Sequence, residues 1–315
     1  MNNKIIQLAY KDSRADRVLT GVSLDYRPEG HVCDKVLTPL PVDKYSGKLG
    51  SYGTSHLQLV KTRVLDRGKY TIIPSYDYSV STNYDVFTHG LGDIISKRDR
   101  AEIEAPFEIE SDVTMGLKNL LLTEKEFLVS DMLRKASNYN TNNTETLSGN
   151  AQFSDYANSD PIFKIKEAKT KIWSASGVMA TTMICEYPVL EILRSHPKLA
   201  NVYGLSGVRV QISEQQLMSA LGLREIIVAH AQYSNAAGTQ TGFWGKDIIL
   251  TNRMPAAMRH QRTFGYYLSK KGEAENIYRE RTSNPPGGTE ILADMNYNFM
   301  ISNKDAGFLY KNAIA

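Results

Sequence analysis

Cys185 and His230 are the residue types from which a nucleophilic hydrolase is built, because an imidazole that takes a thiol proton converts a weak nucleophile into a strong one. Each closes an apolar run, Val178 to Cys185 and Ile226 to Ala229. Two core-proximal residues at strand ends would read the same way and need no reaction. Asp155, Asp160 and Glu167 could be drawn together as a carboxylate group for acid and base work, but Asp160 stands directly before Pro161, the arrangement of a helix N-cap followed by a favoured first-turn proline. Trp244, between Phe243 and Gly245, is either a stacking platform for a base or sugar, or a loop aromatic that anchors a tip or a subunit contact. No basic and aromatic interleaving surrounds it, which favours the anchor.

Other chemistry lacks a motif. The six histidines, His31, His56, His89, His196, His230 and His260, stand alone without a thiol or carboxylate at metal-ligand spacing. Gly90-Leu91-Gly92 is too short for a phosphate-cradling loop, and neither a Walker-type lysine motif nor His-Glu-x-x-His occurs. The sequence thus predicts no catalytic, cofactor-binding or metal site, and no enzyme.

The totals set the class. A chain of 315 residues predicts about two lobes. With 42% hydrophobic and 23% charged residues it can bury a core. Against 37 Lys and Arg stand 34 Asp and Glu, a net charge of +3 with interspersed signs, too weak a field for a sequence-reading DNA binder. Cys33 and Cys185, far apart, read as buried free thiols. No apolar run at the start suits a signal peptide and none approaches a membrane span, so folding in a cytoplasm is expected. Asn142-Asn143-Thr144 then carries no meaning as a glycosylation acceptor.

Residues 1 to 45 carry no sustained period and are punctuated by Pro28, Gly30, Pro39 and Pro41. They read as an extended arm, ordered by lying across something else. From 46 to 95 the composition favours β structure: alternation at Leu57, Leu59, Lys61 and Arg63, a turn at Asp66-Arg67-Gly68, then Tyr70 to Ile73. That is a hairpin, locally basic through Lys61, Arg63, Arg67 and Lys69.

The longest helix signal spans Phe107 to Ala136, with Val113, Leu117, Leu120, Leu121, Phe127, Leu128 and Met132 on one stripe. A second helix begins at Asp160-Pro161, lines Ile162, Ile165, Ala168 and Ile172 on one face, and closes at Gly177. Pro188 opens a short helix that Pro197 terminates. Ser213 with Gln216 is a capping box for a helix that Gly222 stops, and the strand Ile226 to Ala229 follows, together a small α/β lobe. Extended segments at Asp247 to Thr251, Thr263 to Ser269, Glu275 to Arg281 and Glu290 to Ile301 must return to earlier elements.

Several of these words occur in an order that resembles one family. SGNAQFSDYANSDP (Ser148 to Pro161) precedes a helix, a β run, the Tyr187-Pro188 helix with His196-Pro197-Lys198, then Ser213 to Leu221 and Ile226-Ile227-Val228. Upstream stand Pro41 to Lys48 (PVDKYSGK) and Ala105-Pro106-Phe107. From about Pro39 to Arg253 the chain is similar to the major capsid proteins of tailed bacteriophages.

The resemblance implies an α+β chain with the Hong Kong 97-like fold. Its parts are an N-terminal arm (1–45), an extended hairpin or E-loop (46–95), a peripheral domain on a long spine helix (96–175), an axial domain (176–262) and C-terminal strands returning to the peripheral domain (263–315). It further implies self-assembly into pentamers and hexamers of an icosahedral shell around double-stranded DNA. The implied partners are other copies of the chain, a portal, scaffolding or decoration proteins, and weakly contacted DNA, with no membrane. The virion is the implied location, after assembly in the host cytoplasm. An encapsulin-like nanocompartment shell shares the implied fold, and a cysteine hydrolase on Cys185 and His230 is the alternative of another class.

Overall fold

The computed structural model describes residues 15–26, 30–52, 78–102, 109–204, 211–234, 238–257, 262–282 and 288–315. In chain order the described elements begin with α1 (Arg17–Asp25), β1 (Thr38–Val42), β2 (Ser46–Tyr52), β3 (Tyr78–Asp85), β4 (Phe87–Ser96), α2 (Lys97–Glu102) and the long α3 (Ile109–Leu133). After a short β5 (Thr144–Thr146) come α4 (Pro161–Ser176), β6 (Thr182–Glu186), α5 (Tyr187–Arg194), α6 (Pro197–Asn201), α7 (Glu214–Leu221) and β7 (Glu225–Ala229). The chain closes with β8 (Gln232–Ser234), β9 (Gln240–Gly242), β10 (Ile248–Thr251), β11 (Gly265–Lys270), β12 (Glu275–Thr282), β13 (Gly288–Ile301) and β14 (Gly307–Lys311).

Local chemistry explains several of these boundaries. Asp160 accepts from the Phe163 amide at the start of α4, Pro161 occupies its first turn, and Gly177 ends it at φ 72°. Ser213 and Gln216 form the reciprocal capping box of α7, and Gly222 closes that helix at φ 63°. Pro197 does more than end α5. It also sits in the first turn of α6, where a missing amide proton costs nothing, and His196 caps the new helix by accepting from the Lys198 amide.

One sheet is organised by the 14-residue β13. Thr289 to Met295 pair on one side with β12 and on the other with β4, while Tyr297 pairs with both Ser269 of β11 and Phe87 of β4. β11 and β12 therefore lie end to end along one edge of β13, and β4 runs along the other. β1 adds to β11 in parallel. The second sheet has the order β5-β14-β10-β6-β7. Its alternating side chains feed two cores: Ile184, Ile227 and Ile249 enter the one beneath α3, whereas Met183, Cys185 and Ile248 enter the one covered by α4, α5 and α7. Being buried on both faces, these strands read as continuous apolar runs.

Two expectations change. The stripe foreseen on α3 is rotated: Leu117, Leu121, Val129 and Leu133 are buried, but Leu120, Phe127 and Leu128 are exposed, and Lys118, Lys125 and Glu126 are buried in their stead. Apolar side chains on two faces blurred the period. The arm also differs. Its described part from residue 15 folds on its own subunit, with α1 against α3 and β12, Val36 and Leu37 in the core, and β1 in the sheet. Two of the prolines that suggested a free arm, Pro39 and Pro41, are instead edge-strand prolines of β1, and Pro28 lies outside the described residues. The hairpin alternation Leu57 to Ile73 and Ala105-Pro106-Phe107 lie outside the described residues.

Candidate functional site

The sequence-predicted chemistry does not assemble. Cys185 points into the second core, fully buried, and burial, with lesser contributions from Glu214 and Glu186, pushes its thiol up to about 12. A thiol so held stays protonated and is no nucleophile at neutral pH. His230 is exposed past the end of β7, its ring 5.2 Å from that of Tyr187.

The three carboxylates serve locally. Asp155 takes the amides of Ala157 and Asn158 and the Asn158 side chain, which together lower its pKa; Asp160 caps α4; Glu167 pairs with Lys171 at 2.9 Å. Among the described residues no group of three or more His, Cys, Asp or Glu could hold a metal, and no helix is long and apolar enough to cross a membrane. His56 and His260 lie outside the described residues.

Trp244 is a buried loop aromatic, closed off from stacking on a base or sugar, and it anchors its loop to the spine helix: its Nε1 donates to Glu126 Oε1 at 2.6 Å. The other oxygen of Glu126 accepts the amides of Val32 at 2.9 Å and Cys33 at 2.7 Å. One buried carboxylate on α3 thus joins the residues leading to β1 and the loop after β9. Burial holds its pKa above the ordinary value, and the donors from Trp244, Val32 and Cys33 pull against that rise.

Two buried lysines on the same helix repeat the device. Lys118 binds the Ser23 carbonyl and Glu275 (3.1 Å), tying α1 to β12 through α3. Lys125 binds Asp34 at 2.5 Å and Tyr267 Oη at 2.7 Å, its ammonium 4.4 Å from the Tyr267 ring centroid. Burial opposes that charge most strongly, yet Cys33, Tyr267 and Asp34 outweigh it, so Lys125 holds its proton more tightly than an ordinary lysine. The seven-residue spacing of Lys118 and Lys125, in phase with Leu121 and Val129, was the available signal for these clamps.

With its inner face committed in this way, α3 presents Leu120, Phe127 and Leu128 outward beside Glu124. The hairpin β2–β3 pairs from Ser46–Asp85 to Tyr52–Tyr78. Its base is anchored by Val42 and Val86, buried against Leu268. Among the described residues, the outer face of the spine helix thus keeps apolar side chains that the two cores do not use.

No family model matches the chain. The major capsid protein of Burkholderia phage BcepMu is 25% identical over 264 residues, 82% of this chain and 84% of that one. The major capsid protein of Pseudomonas phage JBD67 is 24% identical over 307 residues, 95% and 97% of the two chains. Among solved structures, a phage-related protein from Bordetella bronchiseptica superposes with a TM-score of 0.73 at 19% identity, covering 96% of this chain and 98% of that one. The SrpI encapsulin of Synechococcus elongatus follows at 0.53 and 11%, covering 97% and 92%. The fold is the α+β Hong Kong 97-like fold that phage capsids and encapsulins share. Within it, the chain is similar in sequence to the two phage major capsid proteins named above, in keeping with the likeness that the order of its sequence words implied.

Proposed function

We propose that the protein is a major capsid subunit that assembles through pentamers and hexamers into an icosahedral shell around phage double-stranded DNA. The observation that carries this reading is its alignment with two phage major capsid proteins over 82% and 95% of its length. The geometry supports it physically. Leu120, Phe127 and Leu128 stand exposed on a helix whose other faces are already packed, and such side chains gain burial only from another molecule. Obligate interfaces of this kind bury about 2,000 to 5,000 Å².

In this reading the hairpin, with Lys61, Arg63, Arg67 and Lys69 in its sequence, reaches a neighbouring copy, whose spine helix offers apolar residues and the exposed Glu124. The division into arm (1–45), E-loop (46–95), peripheral domain (96–175), axial domain (176–262) and returning C-terminal strands (263–315) belongs to the same proposal. So do a portal, scaffolding or decoration proteins as partners, assembly in the host cytoplasm, the shell of the virion as destination, and the absence of catalysis. A net charge of +3 suits weak, salt-sensitive contact with DNA that must move in and out.

Electron microscopy of the purified protein across a concentration series tests the reading. Capsomers or closed shells are expected, and persistent monomers at high concentration would reject it. Recovery of DNA rather than a cargo protein from native particles distinguishes a capsid from an encapsulin-type compartment.

A further inference from the structure

The last turns of α3, the segment after it, the β8–β9 ribbon and the end of β14 surround a cleft of about 400 Å³, a size that suits a small ligand. Part of its lining is aromatic. Phe127, 49% exposed, meets the ring of Tyr233 edge-on at 6.3 Å, and Tyr233 lies tilted on Phe243 at 4.8 Å. Phe243 is buried and backs the half-buried Tyr233, so the two rings with accessible surface are held in place. Trp244 is closed off in the core, and aromatic surface open to a flat ligand lies on Tyr233 and Phe127 instead.

The rest of the lining is polar and carries Arg134, Lys135 and Lys311 against Asp131 and Asp247. Asp247 is fully occupied, accepting from Arg134 Nε at 2.8 Å and from the Asn312 amide at 3.0 Å. Asp131 holds Lys135 at 2.5 Å, but this pair is exposed, so water competes for it and Lys135 is free to turn to another anion. Lys311 has no ion-pair or hydrogen-bond partner among the described residues. A helix C-terminus ordinarily repels an anion. Here the Met132 carbonyl accepts from Asn138 Nδ2 and the Leu133 carbonyl from Tyr139 Oη, each at 2.7 Å, so that repulsion is muted. The cleft therefore offers flat apolar surface beside an uncompensated positive charge.

The geometry points to a site for a nucleotide with an unpaired base: the base stacks on Tyr233 and Phe127, and Lys311 holds the phosphate, joined by Lys135 once it leaves Asp131. Stacking of this kind accepts any base, because each has a π face, and the phosphate contact makes binding weaken with salt. Free nucleotides and single-stranded DNA present the same chemistry. Duplex DNA does not, since its bases are stacked on one another, so this site is distinct from diffuse contact with a packaged duplex. The inference is independent of the assembly reading.

Titration calorimetry of the full-length protein tests it, with dAMP, deoxyadenosine, inorganic phosphate, an oligothymidylate and a blunt duplex as probes. Saturable binding of dAMP is expected, tighter than that of deoxyadenosine or phosphate, and weaker as salt rises. Tyr233→Leu should weaken it about tenfold. Lys311→Gln should do the same and flatten the salt dependence. Phe127→Leu, at an exposed position, serves where Tyr233→Leu fails to fold. No saturable binding of either dAMP or the oligonucleotide overturns the inference, and so does binding that survives the substitutions. So does phosphate that binds as tightly as dAMP, or a duplex that binds as tightly as the single strand, because neither engages the rings. Preference for dAMP over the oligonucleotide identifies free nucleotide as the source, and the reverse identifies a DNA strand. Shells formed by protein that binds no nucleotide would leave the capsid reading standing while this one falls.

Discussion

The indole Nε1 of Trp244 donates to Glu126 Oε1 at 2.6 Å in a site closed to water, so a loop residue 118 positions away fixes the middle of the spine helix. Because the remaining oxygen of Glu126 serves two amides, Glu126→Gln leaves at least one buried donor facing a donor. A loss of about 2–4 kcal/mol is expected in denaturant unfolding. Trp244→Phe removes one donor and keeps the ring, so about 1–2 kcal/mol is expected. A double-mutant cycle should show coupling between the two; additivity would mean that the bond contributes nothing.

The two buried lysines differ in what they would leave behind. Glu275 is only 14% exposed, so Lys118→Met removes the cation from a carboxylate that keeps the Ser23 hydroxyl as a donor, and takes the ammonium from the Ser23 carbonyl; about 3 kcal/mol is expected to be lost. Asp34 is 55% exposed and can turn to water, which makes Lys125→Met milder, about 1–2 kcal/mol. Thermal or denaturant unfolding of both variants checks the order, and the reverse order would refute this account of the clamps.

His196 makes folding sensitive to acid. Its Nδ1 accepts the Lys198 amide at 3.2 Å and its Nε2 faces Ser159 Oγ at 3.0 Å, which suits the neutral ring. Burial, then Lys198, pushes its pKa from the ordinary 6.5 down to about 4. The unfolded chain takes up this proton first, so the stabilisation is whole above about 6.5, declines as pH falls, and is gone below about 4. His196→Asn keeps an acceptor for the cap and removes the titration. Unfolding midpoints measured between those limits should be flatter for the variant than for the parent chain.

Assembly should separate from stability on the outer face of the spine helix. Leu120→Asp and Phe127→Ser alter exposed side chains, and each is expected to change unfolding stability by about 0.5 kcal/mol or less. Sedimentation should nonetheless reveal fewer assembled particles. Full assembly by both variants would remove this face from the proposed contacts.

Much of the frame was written locally. Asp160-Pro161, Ser213 with Gln216, Gly177 and Gly222 mark helix limits because capping is decided within one turn. The strands at Glu275 and Gly288 begin within a few residues of their expected positions because alternation is also a local property. The catalytic candidates needed convergence, which no local signal can supply: Cys185 lies near the end of β6 and His230 just past the end of the neighbouring β7, yet one faces the core and the other the solvent.

By itself, then, the sequence determined the order of helices and strands, their caps and the family likeness, since each depends on neighbours a few residues away or on the succession of words. Only the tertiary structure decided which face of the spine helix is inner and that α1, Val36, Leu37 and β1, within the stretch foreseen as an arm, pack on their own subunit. It alone placed Lys118, Lys125 and Glu126 in the core. Burying a charge costs several kcal/mol unless a partner waits there, and those partners, Glu275, Asp34 and Trp244, stand from 91 to 157 positions away, where no periodicity reaches.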